Sequence, residues 1–237
     1  MLRTILPAFV AVALPFAAQA DEARPFPRIV VTGTGEAHVA PDMAILTLSV
    51  MREAETARAA LDENSAAMAA VIAAMKEAGI APRDLQTAGL SIQPRYVYPQ
   101  SSNGEEQPRI VAYQVTNALT VRVRDIAKVG DVIDRSVTLG VNQGGGVSFT
   151  NDDPAPVLDK ARSRAVEDAM KRARTLAQAA GVPLGAVVEI SEVSPVQPQP
   201  VFAKAMRMEA ADASVPVEAG ENTYAVSVTV TFEIGGR

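Results

Sequence analysis

VTGTGEAHVAPD, residues 31–42, carries a Gly-x-Gly where a dinucleotide-binding chain would place its phosphate loop. A dinucleotide fingerprint needs a strand, a turn holding three glycines, and then a helix whose N-terminus faces the pyrophosphate. Gly33 and Gly35 have no third glycine, and after His38, Ala40 and Pro41 comes DMAILTLSVMRE, with Ala44, Leu46, Leu48 and Val50 at every second position. That period belongs to a strand, not a helix. The stretch is therefore predicted to be a glycine-softened strand that bulges or lets another backbone pass close, with Pro41 separating it from a second strand. Gly144-Gly145-Gly146 fails as a phosphate loop for the same reason, since it precedes a strand, and reads as a bend.

Toward the N-terminus, Arg3 is a lone positive charge, ILPAFVAVALPFAA is apolar but short and broken by proline, and Ala18-Gln19-Ala20 is a small-x-small cleavage site. Residues 1–20 read as a cleavable signal peptide rather than an anchor, and residues 21–28 as a polar, proline-bearing arm. The whole chain has 22 Lys+Arg against 27 Asp+Glu, a net charge of −5, and loss of Arg3 makes the mature chain more acidic still. This balance argues against a nucleic-acid partner. There is no cysteine, hence no disulfide framework and no thiol for lipid attachment. The expectation is an exported, soluble periplasmic protein with no integral membrane segment after cleavage. Tryptophan is absent and aromatics are 4% of residues, too few for stacking platforms for bases or sugars.

Toward the C-terminus, helical and strand periods alternate. From Glu55 to Gly79, Leu61, Met68, Val71, Ile72 and Met75 recur at helical spacing, and Gly79 supplies the stop. DLQTAGLSIQPRYVYPQ and RIVAYQVTNALTVRVRD read as two long strands of a hairpin around Asn103-Gly104. A shorter helix over IAKVGDVIDRSVTLG should bring Ile126, Val129, Ile133 and Val137 to one side. The strongest helix starts near Asp152-Asp153-Pro154 and ends at Gly181, with Leu158, Ala161, Ala165, Ala169, Ala173, Leu176, Ala177 and Ala180 as a stripe of mostly small residues. GAVVEISEVS is a strand, residues 195–220 are long, proline-rich and irregular, and TYAVSVTVTFEI is the last strand. LTLSV and AGLSI flank the first helix as LTVRV and GGVSF flank the second, a weak sign of internal duplication. The fold class is α+β: antiparallel sheet covered by amphipathic helices.

The inventory of reactive groups is thin. His38 is the sole histidine and no Gly-x-Ser-x-Gly elbow is present, so a triad or a zinc site has nothing to assemble around. Asn151-Asp152-Asp153 lacks calcium-loop spacing and suits the start of a helix. Glu167 with Lys171 and Asp168 with Arg172 are i, i+4 pairs that make the basic residues there a solvated face. No catalytic, cofactor-binding or metal-ligating residue is assigned. Phe202, Met206 and Met208 are the candidate surface for a partner or for self-association, and the hairpin around Asn103-Gly104, whose strands are expected to project sheet edge beyond the core, is a second place where another copy could pair.

Taken together, VTGTGEAHVAPDMAILTLSV, AGIAPRDLQTAGLSIQPRY, YQVTNALTVRVRD with GDVID behind it, LAQAAGVPLGAVVEISE and the terminal YAVSVTVTFEI resemble the SIMPL-domain family, in its branch of bacterial periplasmic immunogenic proteins. The resemblance covers residues 29–237. It implies an α+β domain, export to the periplasm and a tendency to form homo-oligomers, with no agreed catalytic residue or cofactor. One departure is visible: Val217-Glu218-Ala219-Gly220-Glu221 stands where relatives carry a Pro-Gly-Glu turn. The function expected is non-enzymatic, through binding or self-assembly, in envelope maintenance or stress tolerance; the alternative is an exported hydrolase working with carboxylates.

Overall fold

Two antiparallel sheets share the eight strands of the computed structural model, which describes residues 27–98, 107–193, 199–201 and 215–235. The predicted leader, the hairpin tip at Asn103-Gly104, and Phe202, Met206 and Met208 lie outside those residues. The first sheet has the order β1 (Arg28–Val39), β8 (Glu221–Ile234), β6 (Leu184–Val193), with the short β7 (Gln199–Val201) also on β8. The second has the order β3 (Leu85–Val97), β4 (Arg109–Val123), β2 (Met43–Ala54), β5 (Gln143–Thr150). Three helices, α1 (Ala57–Glu77), α2 (Val129–Thr138) and α3 (Ala155–Ala180), complete an α+β fold. Pro41 does more than separate strands: the chain crosses there from one sheet to the other.

In the second sheet, β2-α1-β3 and β4-α2-β5 interleave, so that each unit's strands flank one strand of the other, the split βαβ arrangement. Their common topology follows from this interleaving and does not make them copies; α1 has 21 residues and α2 has 10. The Thr56 hydroxyl accepts from the Ala59 amide to start α1, and Gly79 (φ +87°) stops it. Met68, Val71, Ala74 and Met75 of α1 pack on Leu46, Leu48 and Val50 of β2 and on Leu119 and Val121 of β4. Leu61 and Ile72 are only half-buried. The predicted face of the second helix is also corrected: Val129 and Val132 are buried while Val137 is exposed, because Ile126–Lys128 form a 3-10 turn whose tighter winding shifts the phase. Gly144-Gly145-Gly146 lie within β5 rather than in a bend, beside a register shift in the pairing with β2. The proline-rich segment likewise contains a strand, β7.

α3 lies on the first sheet. Its helical residues begin at Ala155, whose amide donates to Asp153 Oδ1 at 3.0 Å, and it ends at Gly181 in the left-handed region (φ +68°). Its buried row is Val157, Ala161, Ala165, Ala169, Ala173 and Ala177. Leu158 is half-buried and packs against this core as predicted, whereas Ala180 is exposed and Leu176 is 50% exposed, so those two do not belong to the contact. Alanine every fourth residue gives a smooth flank, and opposite it stand Val31, Gly33, Gly35 and Ala37 of β1. β8, the next strand, carries the bulk of this core with Tyr224, Val226, Val228, Val230 and Phe232.

Candidate functional site

The opening glycines now have a physical role. A Cβ built on Gly33 would fall inside 3.0 Å of the Ala165 carbonyl oxygen and the Ala169 nitrogen; one on Gly35 would do the same to Ala161 and Ala165. Backbone therefore rests on backbone, the close approach that only glycine on the strand and alanine on the helix permit. Gly33 and Gly35 seat a helix, and its backbone fills the space in front of them. α3 also finishes the outer edge of β1, since Asp168 Oδ2 accepts from the Thr34 amide at 3.0 Å and the Arg164 guanidinium donates to the Glu36 carbonyl. The amide of Thr34, followed by the Arg172 guanidinium 2.8 Å away, holds the Asp168 carboxyl below its usual range. Of the two predicted i, i+4 pairs, Asp168 with Arg172 forms; Glu167 with Lys171 is not an ion pair among the described residues.

His38 sits exposed on β1, its Nδ1 2.8 Å from the Thr223 hydroxyl of β8, a cross-strand pair with no carboxylate to orient the ring. The three residues Asn151-Asp152-Asp153 separate into three tasks. Asp153 receives the first amide of α3. Asp152 takes Arg124 Nη1 at 2.6 Å. Asn151 is buried: its Nδ2 donates to the Ala40 carbonyl at 2.8 Å, and its Oδ1 accepts from Asn222 Nδ2 at 2.9 Å and from the Tyr224 hydroxyl at 3.0 Å. One amide thus ties the end of β1, the start of β8 and the end of β5 together where the sheets meet. Burial raises the Tyr224 pKa, which keeps its hydroxyl a donor. A second buried amide, Asn64 on α1, donates to the Val50 and Val115 carbonyls at 2.7 and 3.0 Å and pins that helix to β2 and β4. Among the described residues no group of three or more His, Asp or Glu side chains converges.

The other feature that distinguishes this molecule is the β3–β4 hairpin. From Gln86 to Val97 every residue of β3 is exposed. Leu90 and Ile92 stand opposite Asn117 and Val115 of β4, on the face that α1 covers, yet they are 56% and 45% exposed because α1 rests over β2 and β4. Further out, Tyr96, Val97, Tyr98, Ile110 and Val111 are exposed as well. Isolated surface hydrophobics are ordinary; this many on one hairpin make it a candidate contact surface. The periods of β3 and β4 showed the hairpin but not which of its side chains stay exposed.

The chain matches the model of the SIMPL family, described as protein of unknown function (DUF541), over residues 29–232. It is 54% identical over 229 residues to the 26 kDa periplasmic immunogenic protein of Brucella melitensis, covering 94% of this chain and 92% of that one, and it matches the protein of the same name in Brucella abortus to the same extent. To the uncharacterized protein YggE of Escherichia coli K12 it is 32% identical over 209 residues, covering 88% of this chain and 80% of the other. None of these names describes an enzyme. No helix among the described residues is long and apolar enough to cross a membrane. A match across nearly all the described residues, with relatives of comparable length, places this chain in the SIMPL family, among proteins similar to the periplasmic immunogenic proteins of Brucella.

Proposed function

We propose that this is an exported, non-catalytic envelope protein that acts by assembly, and that a second copy of the chain covers the β3–β4 hairpin. The observation that carries the reading is the run of exposed apolar side chains from Leu90 to Tyr98 with Ile110 and Val111 beside them. A second copy is favoured over another partner because β3 is an edge strand, and an antiparallel edge with apolar faces is self-complementary about a twofold axis. Export is supported by the Ala18-Gln19-Ala20 site and by relatives named periplasmic. Work in envelope maintenance or stress tolerance is the physiological side of the proposal. The self-association surface expected at Phe202, Met206 and Met208 lies outside the described residues, and the hairpin carries the proposal without it.

The experiment takes protein from the periplasmic fraction of cells expressing the full chain. Mass spectrometry is expected to find Asp21 at its N-terminus, and light scattering at several concentrations to find a homo-oligomer. The triple substitution Leu90→Ser, Ile92→Ser, Tyr98→Ser should lower the mass to that of a monomer while leaving the circular dichroism and melting temperature nearly unchanged, because these side chains are exposed in one copy. Full-length protein embedded in the membrane sinks the export reading. Wild type that is monomeric across the micromolar range, or a folded triple variant of wild-type mass, sinks the assembly reading.

A further inference from the structure

At the far end of β4 from the hairpin tip, the chain builds a cavity of about 270 Å³ between the C-terminal end of α1, the 3-10 turn Pro82–Asp84 and the turn that leads into α2. Asp84 is the buried carboxylate of its lining. Only 4% exposed, this carboxylate receives Arg124 Nε and Nη2, both at 3.0 Å, and the same guanidinium reaches Asp152 at 2.6 Å. Arg124 is thereby fixed between two carboxylates and its charge is consumed. The remaining cations of the lining are less well matched. Arg83 has its Nε 4.0 Å from Asp84, at the limit of an ion pair, and Lys128 Nζ is 3.7 Å from Asp125, whose carboxylate is also engaged by the Ala127 amide. Arg122 makes no ion pair among the described residues. Both Arg83 and Arg122 stand close enough to add to the lowering of the Asp84 pKa, which the hydrogen bonds from Arg124 dominate.

The lining therefore holds four cations against two carboxylates, or three with the Asp152 that Arg124 also engages, in a chain whose net charge is −5. Helix capping does not explain the excess, because the turn at Gly79 already satisfies the carbonyls of Ala74, Met75 and Lys76 with the amides of Ala78, Ile80 and Gly79. Like charges gathered in a concavity repel one another unless an anion from outside joins them. We propose that this cavity binds a phosphate group, held by Arg83, Arg122 and Lys128 above the fixed Asp84–Arg124 pair. Guanidinium forks match the oxygens of a tetrahedral oxyanion, Lys128 adds a mobile point charge, and the cavity has room for a phosphate group but not for a large cofactor. The phosphate comes either free in solution or on a lipid headgroup, and the two sources are separable.

The test uses the intact mature protein at low ionic strength. Calorimetric titration with inorganic phosphate reads the free source; flotation with phosphatidylcholine vesicles, with and without phosphatidate, reads the lipid source. Binding in one or both arms is expected, weakened about tenfold by Arg122→Ala and again by Arg83→Ala, at unchanged melting temperature. Arg109→Ala, which removes an exposed arginine from the hairpin, should leave binding as it is. Binding in neither arm, or an equal loss in Arg109→Ala, overturns the proposal. The outcome does not depend on oligomeric mass, so this site and the assembly reading stand or fall separately.

Discussion

β1 and β3 are both long edge strands, and the chain finishes them in opposite ways. Along β1, α3 settles until its backbone touches Gly33 and Gly35, while Asp168 and Arg164 occupy the outward amide of Thr34 and the outward carbonyl of Glu36. Along β3, from Gln86 onward, every residue is exposed and apolar side chains stay in water. Its edge is not left as an unrestricted template, since Pro94 removes one amide and two register shifts with β4 break its regularity. One edge is completed by the chain itself; the other keeps exposed apolar side chains together with irregularities that limit how another strand could add. The difference teaches where to look for function in a fold with few reactive groups: at the edge that folding does not consume.

The sharpest way to break the comparison is one substitution made on both edges. Gly33→Ala puts a Cβ into helix backbone, which cannot give as a flexible side chain does, so α3 must lift from the sheet and destabilisation of about 3 kcal/mol or more is expected. Gly89→Ala on β3 meets nothing within 4 Å and has no left-handed backbone to strain, so it should be neutral or stabilise by about 0.5 kcal/mol through the unfolded state. Urea denaturation of the two variants reads both values. Equal effects would mean that the β1–α3 contact is looser than its geometry. A smaller loss is expected at the junction that holds the finished edge to the second sheet. Asn151→Ala leaves the buried donors of Asn222 and Tyr224 without their shared acceptor, at a cost of about 2 kcal/mol. If the same denaturation experiment finds no loss, the junction is not held by this amide.

How far the sequence revealed these two edges depends on what each required. That residues 31–35 form a strand was legible from alternation, and the alanine row of α3 was legible from its spacing. That the two touch was not, because the contact joins segments some 130 residues apart in number and neither pattern names its partner. Leu176 was misplaced because hydrophobicity was taken for burial, whereas α3 packs through alanine and points this leucine outward. The exposed apolar side chains of β3 were hidden for the same reason. Leu90 and Ile92 alternate as buried residues do, and only the position of α1 over the neighbouring strands shows them to be uncovered. Asn64 and Asn151 are polar residues that make buried hydrogen bonds to backbone and side chains distant in sequence, which no periodicity encodes. The cationic cavity draws Arg83 from one segment and Arg122 and Lys128 from another, and each of those segments carries its own aspartates, so no linear sign marks it.

The smallest expected effect concerns the polar finish of β1, and it has a definite sign. Asp168 is held below its usual range by the Thr34 amide first and by Arg172 second, so its folded-state pKa lies below the unfolded value near 3.8. A carboxyl depressed in this way contributes stability that is present above the unfolded pKa and is lost as pH falls through the folded one. Asp168→Asn keeps an oxygen able to accept from Thr34 but removes the charge. Wild type should therefore be slightly more stable than Asp168→Asn at neutral pH, and the gap should close in strongly acidic solution, below the ordinary aspartate range. Because Asp84 and every other carboxylate are common to both proteins, the difference between the two pH profiles isolates Asp168. Hydrogen exchange at the Thr34 amide gives the local reading: its protection factor should fall with the gap in wild type and should be lower and nearly flat with pH in Asp168→Asn. A gap that persists in acid, or Thr34 protection that is the same in both proteins at neutral pH, would show that α3 closes this edge by backbone contact alone, and that the charge on Asp168 belongs to the helix pair with Arg172 rather than to the strand.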